Sequence, residues 1–154
     1  MFDYYSMKKI IITSGYWNPL HIGHINLFKA AKDLGDVLVV ITNNDEQVKL
    51  KGSVPFMPEN ERLELIKAIR YVDEVFLSID KNESVCESLK KVAEKYKGCE
   101  IFFANGGDKH AGNIPEAPVL KEFNIKTVDN VGGSKVQSSS WLIKNSSEFK
   151  VKQL

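Results

Sequence analysis

Short, nearly uninterrupted apolar runs recur along the chain and alternate with segments of helical periodicity. These apolar runs lie at residues 9–15, 37–43, 74–79, 99–105 and 125–131. Strands that are buried on both faces are apolar throughout, whereas strands with one exposed face alternate apolar and polar residues. The runs therefore predict an α/β fold: a Rossmann-like open parallel sheet of about five strands with helices on both faces.

Segments with apolar residues at helical spacing separate the predicted strands. One ends at Gly35, a residue type that commonly follows a helix, and another opens with Pro58 and acidic residues. The last helix opens with serines, which are favoured N-cap residues. We interpret residues 44–57 as a loop and residues 146–154 as a loosely held tail. The predicted helices span residues 25–35, 58–72, 84–97 and 138–145.

Size and composition narrow the class of protein. The 154 residues suffice for one domain, which we predict to span residues 1–154 with its core at about 8–145. The formal net charge of +1, with basic residues spread along the chain, disfavours nucleic-acid and membrane partners. No apolar stretch reaches the roughly 18 residues of a membrane helix. Two cysteines are too few for a disulfide framework, so we expect a reduced, cytoplasmic protein.

Unusual polar loops follow four of the five predicted strands. They lie at residues 16–24, 43–46, 105–110 and 132–140, after the first, second, fourth and fifth strands. Open parallel sheets bind their ligands at the carboxyl ends of the strands, near the point where strand order reverses. We therefore expect these four loops to meet at one edge of the sheet.

The first of these loops holds two of the three histidines of the chain, in the sequence His21-Ile22-Gly23-His24. If a helix begins near Gly23, both imidazoles lie beside amides that favour an anion, and Gly23 allows close approach to the backbone. Such a site suits a phosphate that gains charge during a reaction. Two alternatives stay open: histidines that only cap a turn, and a zinc pair, which lacks a third ligand at useful spacing because His110 is distant and in another loop.

The histidine motif and its surroundings resemble the nucleotidyltransferase superfamily defined by HxGH. Within it they are similar to the cytidylyltransferase-like branch, which includes glycerol-3-phosphate cytidylyltransferase and the heptose-1-phosphate adenylyltransferase domain. The resemblance runs from about residue 8 to 145 and is carried by GYWNPLHIGH, AKDLGDVLVVITNNDE, KLKGSVPFMPENERLELIKAIRYVDEV, NGGD and SSSWLI. It implies that a substrate phosphate attacks the α-phosphorus of a nucleoside triphosphate and releases pyrophosphate. It also implies a homodimer and Mg²⁺ bound through the nucleotide phosphates.

The resemblance also implies the site residues. The implied catalytic residues are His21, His24, Lys51 and Arg62. The implied nucleotide-binding residues are Gly15, Tyr16, Trp17, Asn18, Gly23, Lys49, Gly106, Gly107, Asp108, Lys135, Ser138, Ser139 and Ser140. Some of these have simpler interpretations: a solvated loop for Lys49 and Lys51, a surface salt bridge for Arg62, and a helix N-cap for the serines.

Departures from the family pattern affect the expected substrates. Tyr16 and Asn18 stand where the family has Thr and Asp, and residues 133–137 replace an Arg-Thr-Glu-Gly-Ile stretch. Lys135 is the candidate for the missing arginine, although lysine lacks the bidentate fork. We expect CMP transfer from CTP to a glycerol-phosphate-like or sugar phosphate, with ATP and a sugar phosphate such as heptose 1-phosphate as the alternative. A non-catalytic nucleotide-binding regulatory module is the competitor from another class.

Overall fold

The computed structural model describes residues 7–107 and 113–152. The strands are β1 (Lys9–Gly15), β2 (Val37–Thr42), β3 (Glu74–Leu77), β4 (Glu100–Gly106) and β5 (Lys126–Val131). The helices are α1 (Ile22–Asp33), α2 (Asp45–Leu50), α3 (Glu59–Lys67), α4 (Cys86–Lys95), α5 (Ala117–Glu122) and α6 (Ser139–Lys152). In the described part of the chain, no helix has both the length and the apolar character needed to span a membrane.

The five strands form one sheet in the order β3-β2-β1-β4-β5, and every neighbouring pair is parallel. The chain first extends the sheet on one side of β1 and then crosses to add β4 and β5 on the other side. Strand order therefore reverses between β1 and β4, which is where open α/β sheets bind ligands. The predicted Rossmann-like α/β class is confirmed.

Two apolar layers cover the sheet because successive strand residues point to opposite faces. Ile10 and Ile12 belong to the layer that packs under α4 and α5, whereas Ile11 belongs to the layer under α1 and α3. The same alternation holds in β2, where Val39 packs with the first layer and Val40 with the second. Burial on both faces is the reason that the central residues of these strands are apolar in unbroken succession.

Two short helices and one longer helix differ from the sequence prediction. Helix α2 lies inside the segment predicted as a loop, and α5 occupies a segment to which no element was assigned. Asn44 and Gln47 cap α2 reciprocally, since each side chain accepts the backbone N–H of the other residue. Helix α6 continues to Lys152, seven residues beyond the predicted end of the last helix at residue 145.

Candidate active site

A cavity of about 990 Å³ opens at the carboxyl edge of the sheet, where strand order reverses. Its volume lies at the upper end of the roughly 300–1,000 Å³ typical of small-molecule sites. All four polar loops predicted to meet at this edge contribute to its wall. The predicted site residues that line it are Gly15, Tyr16, Trp17, Asn18, His21, Gly23, His24, Lys51, Gly106, Gly107, Lys135, Ser138, Ser139 and Ser140.

The histidine motif forms the N-terminus of α1. His21 is the N-cap, and its Nδ1 accepts the backbone N–H of Gly23 at 3.1 Å. The Nδ1 of His24 accepts the backbone N–H of His21, also at 3.1 Å. The two side chains therefore satisfy two amides that a helix start leaves without intrahelical partners. The capping interpretation is thus geometrically correct, but it uses only one nitrogen of each ring.

Capping fixes the tautomer of both neutral imidazoles. A nitrogen that accepts a hydrogen bond carries no proton, so each neutral ring holds its proton on Nε2. Burial, followed by the neighbouring His21, lowers the pKa of His24 to about 3. Burial, followed by the charge of Lys135, also lowers the pKa of His21. Near neutral pH both rings are neutral, and each Nε2–H is a donor on a ring that lines the cavity.

Aromatic packing holds the histidine rings in place. The imidazoles of His21 and His24 are stacked, and the rings of Trp17 and His24 form a T-shaped pair with centroids 4.9 Å apart. A Cβ at Gly15 would lie 2.8 Å from the Trp17 ring, and a Cβ at Gly23 would lie 2.9 Å from His21 Cε1. Both glycines are therefore needed for the close approach of these rings.

The N-terminus of α6 opens into the same cavity. Ser138 caps this helix, since its Oγ accepts the backbone N–H of Trp141 and lies 2.7 Å from the Oγ of Ser140. Ser139 Oγ donates to the carbonyl of Pro19 at 2.8 Å, which joins α6 to the loop before α1. Two helix N-termini, each with partial positive charge, thus meet at one cavity.

Two lysines among the described lining residues add full positive charge, and each stands over an aromatic ring. Lys51 Nζ lies 4.2 Å from the centroid of the Tyr16 ring. Lys135 Nζ lies 5.3 Å from the centroid of the Trp141 ring. Neutral imidazole donors, helix N-termini and ammonium groups all favour an anion, so this part of the cavity suits phosphate.

Lys49, which was expected in the site, lies outside the cavity wall. Lys49 turns toward Glu46, with 3.1 Å between Nζ and Oε1, and its side chain is 60% exposed. Asp108 and His110 lie outside the described residues, so the structure leaves their predicted roles open.

Arg62 is fully buried beneath the cavity and does not reach into it. Its guanidinium donates to the carbonyls of Tyr16, Asn43 and Met57 and to the carboxylate of Asp45, at 2.6–2.9 Å. Arg62 is therefore neither in the expected catalytic position nor in a surface salt bridge. It instead joins the loops that follow β1 and β2 to the start of α3.

Asn18 lines the cavity, but its side-chain amide is hydrogen-bonded to other residues of the chain. Its Nδ2 donates to the carbonyl of Val54 at 2.9 Å, and its Oδ1 accepts the N–H of Met57 at 3.0 Å. The family aspartate expected at this position would supply no donor to Val54. Asn18 thus connects the histidine loop to the segment between α2 and α3.

Polar residues missed by the sequence analysis line another part of the cavity. Glu83, Asn113 and Glu116 belong to this wall, and Glu116 Oε1 accepts the backbone N–H of Val85 at 2.9 Å. Burial raises the pKa of Tyr16, and the charges of Glu83 and Glu116 raise it further. Glu83 follows the third strand, so the rule applied to the other strand ends would have pointed to it.

The structure offers little for a metal held by side chains alone. Within residues 7–107 and 113–152, no group of three or more His, Cys, Asp or Glu side chains is placed to hold a metal ion. The described carboxylates in the wall are those of Glu83 and Glu116. This donor set does not make a resident metal site, but it is compatible with a cation that arrives on substrate phosphates.

Comparison with known proteins identifies the family. The cytidylyltransferase-like family matches residues 12–145. The chain belongs to this family. Membership of the cytidylyltransferase-like family confirms the resemblance to nucleotidyltransferases found in the sequence. It also explains why the cavity lies at the reversal of strand order in a Rossmann-like sheet.

This cytidylyltransferase-like chain is similar to FAD synthases and to bifunctional HldE proteins. FAD synthase of Thermococcus kodakarensis is 50% identical over 72 residues, which are 46% of this chain and 48% of that protein. Bifunctional protein HldE of Nitratiruptor sp. is 32% identical over 128 residues, which are 82% of this chain and 26% of that protein. The chain spans about half the length of the curated FAD synthases that it matches.

A solved structure shares the fold. The crystal structure of the lipopolysaccharide core biosynthesis protein from Thermoplasma volcanium matches with a TM-score of 0.63 and 27% sequence identity. The match covers 80% of this chain and 96% of that one. The similarity therefore extends over nearly the whole of the solved chain.

Proposed function

We propose that the protein transfers a nucleotidyl group from a magnesium–nucleoside triphosphate to the phosphate of a small phosphomonoester. The observation that carries this proposal is the meeting of two helix N-termini and the two Nε2–H donors of His21 and His24 at one cavity. Lys51 and Lys135 supply positive charge at the same cavity. This arrangement stabilises phosphate charge, and among the described lining residues no nucleophile is paired with its own base.

The reaction needs positioning and charge stabilisation more than proton transfer. An ionised oxygen of the acceptor phosphate forms a bond to the α-phosphorus. The bond from the α-phosphorus to the bridging oxygen breaks, and pyrophosphate leaves with the electron pair. No side-chain base is required, because the attacking phosphate is already ionised near neutral pH. The Nε2–H groups of His21 and His24 would donate to the oxygens that gain charge.

ATP is the leading nucleotide in this proposal. The sequence favoured CTP narrowly, but relatives that are 43–50% identical over about half of the chain are named FAD synthase. FAD consists of FMN joined to an AMP unit, so its synthesis from FMN requires adenylyl transfer. Residues 133–137 lack the Arg-Thr-Glu-Gly-Ile stretch of the cytidylyltransferases, which is consistent with a different base.

The acceptor in this proposal is a phosphate ester of a polyol. FMN and sugar phosphates both fit this description, and both are suggested by relatives, named FAD synthase and HldE. Glu83, Glu116 and Asn113 line the cavity and can accept hydrogen bonds from hydroxyl groups. We place FMN first because the FAD synthases share the higher identity with this chain.

The test is product formation with each of the four nucleoside triphosphates, Mg²⁺ and a panel of FMN, glycerol 3-phosphate and sugar 1-phosphates. The proposal requires pyrophosphate release that depends on an acceptor, together with an equal amount of a product of the summed mass. Product formation with ATP and FMN alone would show that the protein is an adenylyltransferase. Product formation with CTP would show that it is a cytidylyltransferase, as the sequence predicted. Tight nucleotide binding without any product would instead indicate the regulatory module.

A further inference from the structure

Trp141 is an exposed aromatic residue that directly follows Ser140, which lines the cavity. It is the third residue of α6 and is 52% exposed, and neither apolar layer of the sheet includes it. Its ring instead lies under the ammonium of Lys135, with 5.3 Å between Nζ and the ring centroid. Packing in the core therefore does not account for a tryptophan here.

Lys135 belongs to a segment that restrains its side chain little. Residues 132–136 are exposed and form neither helix nor strand, and Gly132 and Gly133 have φ angles of +86° and +78°. A lysine in such a segment has many accessible rotamers, and the entropy lost in fixing them opposes ligand binding. Contact with the Trp141 ring selects among those rotamers before any ligand arrives.

The ammonium selected in this way faces the proposed phosphate site. Lys135 and His21 line the same cavity, and the charge of Lys135 is one of the two causes that lower the pKa of His21. The same ammonium therefore contacts the indole ring of Trp141 and disfavours protonation of the His21 imidazole. This places positive charge next to a neutral donor, as an anionic ligand requires.

We propose that Trp141 is a positioning residue: its indole face holds the Lys135 ammonium over the phosphate-binding end of the cavity and preorganises it for the nucleotide. The inference rests on the proposed function, because it assumes that the ligand carries phosphates there. A cation–π contact at an exposed position corresponds to a factor of roughly 2–5 in affinity. Trp141 would thus act on nucleotide binding through Lys135 and leave the chemical step unchanged.

The test compares Trp141→Leu with Trp141→Phe in the intact chain. Leucine keeps an apolar side chain and favours helix but has no π face, whereas phenylalanine keeps the π face. Trp141→Leu should weaken binding of magnesium-ATP and of tripolyphosphate alike, by roughly 2–5-fold in calorimetry, and Trp141→Phe should restore most of it. Combined with Lys135→Ala, Trp141→Leu should cause no further loss. The turnover number should change little while the Michaelis constant for the nucleotide rises.

A second readout needs no ligand. In an NMR titration, Trp141→Leu should raise the pKa of His21, as Lys135→Ala should, because the ammonium is no longer held near the imidazole.

Additive losses of binding in the double variant, or an unchanged His21 titration, would overturn the positioning role. Weaker binding of ATP with unchanged tripolyphosphate binding would also overturn it, in favour of stacking on the base. If the unmodified protein bound neither probe, the proposed function would fail, and the His21 titration would then decide the role of Trp141.

Discussion

The imidazole rings of His21 and His24 lie nearly parallel, with their centroids 3.6 Å apart and an angle of 24° between their planes. Each ring uses Nδ1 to accept a backbone amide at the start of α1. Stacking at this distance disfavours charge on both rings, and burial acts in the same direction. One structural relationship thus produces a helix cap and a pair of neutral Nε2–H donors.

The first prediction concerns stability and pH. Because the folded state holds the pKa of His24 near 3, below the usual 6.5, the unfolded state binds an additional proton between these values. The stabilising contribution of the neutral ring is complete above about pH 6.5 and declines as the pH falls toward 3. Lowering the pH from 7.5 to 5 should remove about 1–2 kcal/mol of unfolding free energy through this group. Urea denaturation at the two pH values measures the loss.

The matched control for this pH effect is His24→Asn. The Asn Oδ1 can accept the same backbone N–H as Nδ1 of the histidine but does not titrate. The variant should therefore lose less stability than the parent between pH 7.5 and 5. An equal pH dependence in the two proteins would show that other groups carry the effect.

A second prediction concerns the buried guanidinium. Replacing Arg62 with Met leaves three backbone carbonyls and the Asp45 carboxylate without their donor, so the unfolding free energy should fall by about 3–5 kcal/mol. Denaturant midpoints with an unchanged slope would measure this. Arg70→Met is the control, because Arg70 is exposed and should change stability by less than about 0.5 kcal/mol. A loss of activity from Arg62→Met without any loss of stability would contradict the account.

A third prediction separates two lysines that are close in sequence. Lys51→Ala removes a cation from the cavity wall and should raise the Michaelis constant for the nucleotide about tenfold. Lys49→Ala removes a side chain that pairs with Glu46 at the surface, so it should change that constant less than twofold. Steady-state kinetics at fixed acceptor concentration compares the two. Equal effects would mean that the segment around α2 rearranges when nucleotide binds.

Most of the sheet could be predicted because its chemistry is local. Strands buried on both faces are apolar at most positions, so residues 37–43 and 99–105 were visible as apolar runs. Helix α2 is only six residues long and mostly polar, so it has too little apolar periodicity to be recognised from the pattern of apolar residues. Its signal was the capping pattern of Asn44 and Gln47, which precedes no apolar run.

The errors in the candidate site have a physical cause of the same kind. Interpreting residues 44–57 as a loop placed Lys49 and Lys51 together, but residues two apart near a helix end point in different directions. Arg62 could not be placed, because its partners are mostly backbone carbonyls that no residue type reveals. The histidine cap was visible in the sequence as an alternative interpretation, because its donors and acceptors lie within four residues.

The most direct test of the central claim is the turnover of His24→Asn, with saturating magnesium nucleotide and the best acceptor of the panel. The variant keeps the cap at His21 but has no donor in the place of Nε2. The account predicts a turnover number lower by about a hundredfold or more, with a melting temperature close to that of the parent at pH 7.5. A turnover number within threefold of the parent would contradict the role of the neutral histidine pair as phosphate donors.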